Sequence, residues 1–204
     1  MIENIFWLGH STVKIKGEKT IYFDPWKLAK EDKADIILIS HSHYDHCSPE
    51  DVRKIQHDKT VIFTTPDCAP KLSGEVRVLA PGETVREGAI IIEAVPSYNL
   101  NKAFHPRENN WLGFIITIGG KRIYYAGDTD HVPEMQNIKA DIVIIPVGGK
   151  YTMTAAEAAR AVSVIRPEAA IPIHYGDIVG SLKDAEEFQR LADVPVIILP
   201  VSSG

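Results

Sequence analysis

The sequence predicts an α/β fold: one domain of layered sheets covered by helices. Three observations predict it. Short β-branched apolar stretches, punctuated by Gly, Pro, Asn and Asp, recur through the first two thirds of the chain. Two stretches, Asp35–Ile39 and Asp141–Pro146, are unbroken apolar runs after one Asp, the pattern of strands buried on both faces. The last third alternates helical with strand patterns, as sheets with covering helices require. The length of 204 residues matches about one domain, and no Pro/Ser linker or internal repeat divides it.

In chain order, Ile5–Leu8, Thr12–Lys16 and Thr20–Phe23 read as strands separated by Gly9 and Gly17–Lys19. Val13 and Ile15 alternate with polar neighbours, as on a half-solvated strand. After the buried run Asp35–Ile39, Ser48-Pro49-Glu50-Asp51 starts a helix, with Ser48 as N-cap, Pro49 at the first position and acids in the first turn. Further strands are expected at Val61–Thr64, Val76–Leu79, Ile90–Val95, Trp111–Ile118 and Lys121–Ala126. Gly119-Gly120 turns the last pair into a hairpin. Ser97–Asn110 is a long polar loop, and long loops in compact domains are often functional. Thr154 and Glu157 form a capping box at the head of the helix Thr154–Ile165. A strand at Ala169–Ile173, a helix at Lys183–Leu191 and a final strand at Val194–Leu199 complete the pattern.

Composition narrows the function classes. Lys+Arg 22 against Asp+Glu 27 gives a net charge of −5, which argues against nucleic-acid binding. Two Cys cannot build a disulfide framework, so a reducing, cytoplasmic setting is expected. Residues 1–9 lack the basic start of a targeting signal, and the longest apolar stretches fall short of the ~18 residues of a membrane helix, so no membrane partner is expected. No Gly-x-Ser-x-Gly elbow supports a serine hydrolase. Nothing in the pattern sets an oligomeric state.

The eight His are the informative count, because His41, His43 and His46 crowd into His41-Ser42-His43-Tyr44-Asp45-His46. Imidazoles and a carboxylate are nitrogen and oxygen ligands suited to zinc and, less selectively, to manganese or iron. His41 and His43 point the same way along an extended segment, while Asp45 and His46 follow a turn and could face a second cation. Asp128, in Gly127-Asp128-Thr129, and His174, in Ile173-His174-Tyr175, each follow a strand at a Gly-containing loop. A carboxylate can bridge two cations, which suits Asp128; the alternative is a cap or turn residue. The alternative for His174 is a hydrogen-bonded core histidine.

These motifs, with Trp7-Leu8-Gly9-His10, Asp24-Pro25, Pro146-Val147-Gly148-Gly149 and Ile171-Pro172-Ile173-His174-Tyr175, resemble the metallo-β-lactamase superfamily, and within it the ascorbate-6-phosphate lactonase-like metal-dependent hydrolases. The resemblance implies a four-layer αββα sandwich with two divalent metal ions, zinc or alternatively manganese or iron, at one edge. It implies that His41 and His43 hold one ion, that Asp45, His46 and His174 hold the other, and that Asp128 bridges them. It implies that Asp24 supports the metal loop by hydrogen bonding. One position departs from the pattern: Asn99 stands where related sequences often have His. Asn is a poor zinc ligand beside imidazole. His105, six residues on, is the candidate to replace it; otherwise it is a loop histidine, or the first site is sparsely held.

His10, Asn99 and Lys150 are candidates for contacting a small-molecule substrate. Lys150 lies near the helix start at Thr154 and would suit an anionic group. The expected activity is hydrolysis of an ester, lactone or phosphodiester by metal-activated water, with Asp45 orienting the water and moving its proton. A di-iron redox protein and a non-catalytic metal sensor are the alternatives.

Overall fold

In the computed structural model of the chain, which describes residues 1–202, two six-stranded sheets pack face to face. The first sheet runs β1 (Ile5–Gly9), β2 (Thr12–Lys16), β3 (Thr20–Phe23), β4 (Ile36–Leu38), β5 (Val61–Thr64) and β6 (Glu75–Val78) in spatial order. β1 to β3 are antiparallel and β3 to β6 parallel. The second sheet contains β7 (Thr84–Glu87), β8 (Ile90–Pro96), β9 (Leu112–Ile118), β10 (Lys121–Tyr125), β11 (Ile142–Pro146) and β12 (Ala169–Ile173). β7 to β10 are antiparallel, and β10 to β12 parallel.

Period-two alternation explains the layering. Ile36 and Leu38 of β4 join Phe23 and Phe63 in the core between the sheets, where Phe23 stacks on Tyr125 at 4.6 Å. Ile37 and Ile39 point the other way, joining Tyr22, Ile62 and helix α1 (Pro49–Ile55). Helices α2 (Ala155–Ile165) and α3 (Leu182–Leu191) cover the outer face of the second sheet through Ala158, Val162, Ala185 and Phe188. The result is the mixed α/β, αββα layering expected. The caps are in place: the Ser48 hydroxyl accepts from Asp51 N–H, and Thr154 and Glu157 close their box.

Two expectations fail. Val194–Leu199 is not a strand. It touches β12 at a single bridge, Ala170 to Val196, and Val201 then meets Trp7 of β1. Pro195 and Pro200 lack the N–H groups that a ladder needs. Conversely, β7 was not expected, because Thr84-Val85-Arg86-Glu87 carries one apolar residue and lies at a sheet edge.

Parallel strands put their carboxyl ends on one edge. The loops after β3, β4, β10 and β12 therefore converge there and carry Asp24, His41 to His46, Asp128 and His174, while the loops after β1 and β8 bring His10 and His105.

Candidate metal centre

Ser40 anchors the His cluster as it leaves β4. Asp24, fully buried after β3, accepts from Ser40 N–H at 2.7 Å, the Ser40 hydroxyl at 2.6 Å, His46 Nδ1 at 2.7 Å and the Tyr125 hydroxyl at 2.7 Å. Its oxygens are thus engaged by four donors within the protein. The same bonds fix tautomers. The Ser40 hydroxyl gives its proton to Asp24 and so accepts from His41 Nδ1 at 2.9 Å. This leaves His46 Nε2 without a hydrogen-bond partner and turns His41 Nε2 toward His43 Nδ1.

The candidate donor atoms cluster in three overlapping sets: His41, His43 and His105; His10, Asp45, His46 and His174; and Asp24 with His41 and His46. Asp24 is already engaged by four donors, so the first two sets are the candidate ligand groups. Asp128 lies between them. Its Oδ2 is 3.2 Å from His105 Nε2, 3.3 Å from His46 Nε2, 3.1 Å from His174 Nε2 and 4.0 Å from His41 Nε2. His41 Nε2 and His43 Nδ1 are 2.9 Å apart. Metal–nitrogen bonds of ~2.0–2.1 Å in a tetrahedron place ligand atoms about 3.3 Å from each other, so these spacings suit cations. Three of the inward atoms, His46 Nε2, His105 Nε2 and Asp128 Oδ1, are buried with no hydrogen-bond partner among the described residues. Buried orphans of this kind need an explanation, and a bound cation supplies one. The donor set fits divalent metals with no thiolate required.

The departure at Asn99 resolves into a clamp. Asn99 Oδ1 accepts from His105 N–H at 3.1 Å and from His105 Nδ1 at 2.9 Å, while Asn99 N–H donates to His105 O at 2.7 Å. Its amide nitrogen donates to Tyr151 O at 3.0 Å. Both ends of the amide are engaged within the protein, and Asn99 is not among the residues that line the cavity above the ligands. It instead folds the loop back and frees His105 Nε2 to face Asp128.

His10 is also inside rather than at the mouth. Its Nε2 lies 3.0 Å from Asp45 Oδ2, and its ring packs on His174 at 4.2 Å. Lys150 is exposed, with Nζ 4.9 Å from the Tyr151 ring. His57 and His131 belong to neither group.

Backbone geometry aims these groups. Gly127, at φ 65°, precedes Asp128, and a Cβ there would meet Leu112 O at 2.8 Å. A Cβ on Gly148 would meet His174 O at 2.3 Å, so only Gly lets the loop after β11 lie against that histidine.

Burial and neighbouring charge set protonation. Desolvation, reinforced by adjacent imidazoles, holds His41 well below the usual histidine range and lowers His43, leaving both neutral and able to ligate. Burial pushes Asp128 up, but His174 and His46 overcome it and leave the carboxyl well below its ordinary value. Burial also opposes charge on His46, yet Asp128 and Asp24 raise it well above the ordinary value. Asp45 is lowered on balance, with burial opposed chiefly by the bond from His10.

Three contributors had no sequence signal strong enough to single them out. Trp111 packs on His41 at 4.7 Å, His43 at 4.9 Å and His105 at 5.6 Å, walling the first group. Ser40 and Tyr125 look like ordinary strand-end residues. Their roles exist only once Asp24 is placed between them. The centre opens into a cavity of about 260 Å³ floored by His43, Asp45, His105, Asp128 and His174. No helix among the described residues is long and apolar enough to cross a membrane.

The profile of the Beta-lactamase superfamily domain matches residues 4–174. A UPF0173 metal-dependent hydrolase of Archaeoglobus fulgidus is 31% identical over 96% of this chain and 95% of its own. One from Thermoplasma acidophilum is 34% identical over 92% and 90%. Among solved structures, a protein of Parabacteroides distasonis described as a metal-dependent hydrolase superposes with a TM-score of 0.87 at 33% identity, covering 97% of this chain and 93% of that one.

Proposed function

The chain belongs to the metallo-β-lactamase superfamily as a relative of metal-dependent hydrolases, and we propose that it hydrolyses an ester, lactone or phosphodiester with water activated by two divalent cations, zinc foremost. One observation carries the reading: Asp128 Oδ2 lies within 4.0 Å of imidazole nitrogens from both ligand groups, so one carboxylate serves two sites. His41, His43 and His105 would hold one cation, Asp45, His46 and His174 the other, and Asp128 both. When bound there, divalent cations act as Lewis acids and bring the pKa of water down toward ~7.

The chain's own residues supply the rest. Asp45 borders the cavity, accepts a proton from attacking water and returns it to the leaving group. The bond from His10 at 3.0 Å holds the Asp45 carboxylate in one orientation. Trp111 and the core beneath His41 exclude water from the floor, which strengthens each charge interaction there. The motifs Trp7-Leu8-Gly9-His10 and Ile171-Pro172-Ile173-His174-Tyr175 also support our placing the chain beside the ascorbate-6-phosphate lactonase-like branch. The working site is proposed to be cytoplasmic, with a small molecule as substrate.

The test is metal analysis of the full chain purified without added metal, followed by ester and phosphodiester assays before chelation, after it, and after readdition of zinc or manganese. Activity lost on chelation and restored by metal is expected. A fully loaded chain that hydrolyses no member of a broad panel overturns the reading, and two irons with redox activity favour the di-iron alternative.

A further inference from the structure

We propose that the mouth of the metal centre is a collar selecting neutral substrates with one flat apolar arm beside the scissile bond; this rests on the hydrolase reading. Tyr44, Phe104, Tyr151 and Ile178 line the cavity above the ligand atoms. Tyr44 is 68% exposed, and Phe104 and Ile178 are each 45% exposed. Apolar side chains scattered singly over a surface need no explanation, but several gathered at one opening mark a binding site.

The collar is held in place. Phe104 stands edge-on to Tyr151 at 4.6 Å, and Tyr44 edge-on to Trp26 at 6.0 Å. Ile178 is the stronger sign. It lies at φ 63°, in a three-residue turn closed by Val179 N–H donating to Asp177 O at 2.6 Å. A β-branched residue in the left-handed region is a true outlier, and such strain persists at sites where the surroundings impose it. Gly176 and Gly180, two residues away on each side, also have positive φ. The turn thus has glycine at hand, yet places isoleucine at its strained centre with the side chain at the mouth.

Charge and volume define the occupant. The four collar side chains are uncharged; Lys150 rests against the Tyr151 ring, and Lys27 beside Ile178 is paired with Asp177 at 2.6 Å. An apolar cavity of ~150 Å³ accepts one benzene. The roughly 260 Å³ here holds one ring plus a reacting group. A monocyclic aryl ester such as phenyl acetate fits: water adds at the acyl carbon, the acyl C–O bond breaks, the phenoxide takes up one proton of the water and leaves as phenol, and the acetic acid formed is released as acetate with its proton passing to solvent.

The experiment compares benzohydroxamate with acetohydroxamate by calorimetric titration of the full chain, with metal content verified. The two probes share a metal-binding head and differ in the aryl arm. We expect benzohydroxamate to bind the unaltered chain at least about tenfold more tightly, the scale that an apolar pocket commands. In Phe104→Ala and in Ile178→Gly that ratio falls severalfold. Ile178→Gly also relieves the left-handed backbone, so its melting temperature does not drop, which separates a lost collar from lost packing. A ratio unchanged in both variants overturns the proposal, as does failure of benzohydroxamate to bind at millimolar concentration. Hydrolysis of phenyl and ethyl acetate is measured alongside. If neither ester is cleaved while the ratio falls as expected, the hydrolase reading fails and the collar stands. If esters are cleaved while the ratio is flat, the collar fails and the hydrolase reading stands.

Discussion

The two ends of the sandwich invert the usual relation between cavity size and chemistry. The end away from the ligands has the larger cavity, about 520 Å³, lined by Met1, Ile15, Lys16, Lys19, Ile90 and Ile118. It contains no histidine, and its tight turn uses Gly119 and Gly120, which adopt positive φ without strain. The metal end has half the volume, about 260 Å³. There His10, Asp24, Lys27, Asn110, His174 and Ile178 all adopt positive φ. The remaining non-Gly case among the described residues, Arg166, closes helix α2. Strained backbone and unpartnered imidazole and carboxylate atoms, rather than volume, mark the candidate centre.

That contrast can be broken first at Asp24. Asp24→Ala strips four donors of one buried acceptor and should destabilise the chain by about 3–5 kcal/mol, read from urea unfolding. A loss under about 1 kcal/mol would mean that the network is not what holds the metal end. Chelation comes next. Metal present at ~100 times its dissociation constant stabilises by about 2.7 kcal/mol, so removing it should lower Tm by roughly 5–10 °C. An unshifted melting curve would show that the orphaned atoms do not depend on cations.

Asn99→Ala sharpens the comparison within the metal end. Freed from its clamp, His105 should weaken cation binding by the first ligand group about 10–100-fold. Trp111 packs on all three imidazoles of that group, so its fluorescence should report their titration separately. Equal affinity in the variant would make the clamp incidental. The smallest effect is expected at the far end. Lys19→Ala removes an exposed pair with Asp35 and should cost under about 0.5 kcal/mol, with metal affinity unmoved.

The sequence was most legible where chemistry and periodicity are contiguous. His41 to His46 lie side by side in the chain, and the buried runs at β4 and β11 announce themselves by composition. β7 was illegible because this edge strand alternates in exposure but has only Val85 as an apolar residue to show it. Val194–Leu199 misled because its composition is that of a strand, while Pro195 within it and Pro200 just beyond it prevent one. Asn99 illustrates a deeper limit. Its residue type argues against ligation, but its bonds to His105 depend on a loop returning over six residues, which no local pattern encodes. Trp111 and Tyr125 are similar, since packing against imidazoles and bonding to Asp24 are relations between strands of different sheets or loops.

The wide spacing of the ligands along the chain has a further consequence. Synthesis runs from the amino end, so His41, His43 and His46 reach solvent before Asp128 and His174 have been made. Early histidines alone lack the carboxylate that joins the two groups. The finished centre requires both sheets to have closed on each other, because Asp24 follows β3 of the first and Tyr125 ends β10 of the second. If the centre binds cations as proposed, high-affinity binding can arise only after these long-range contacts have formed.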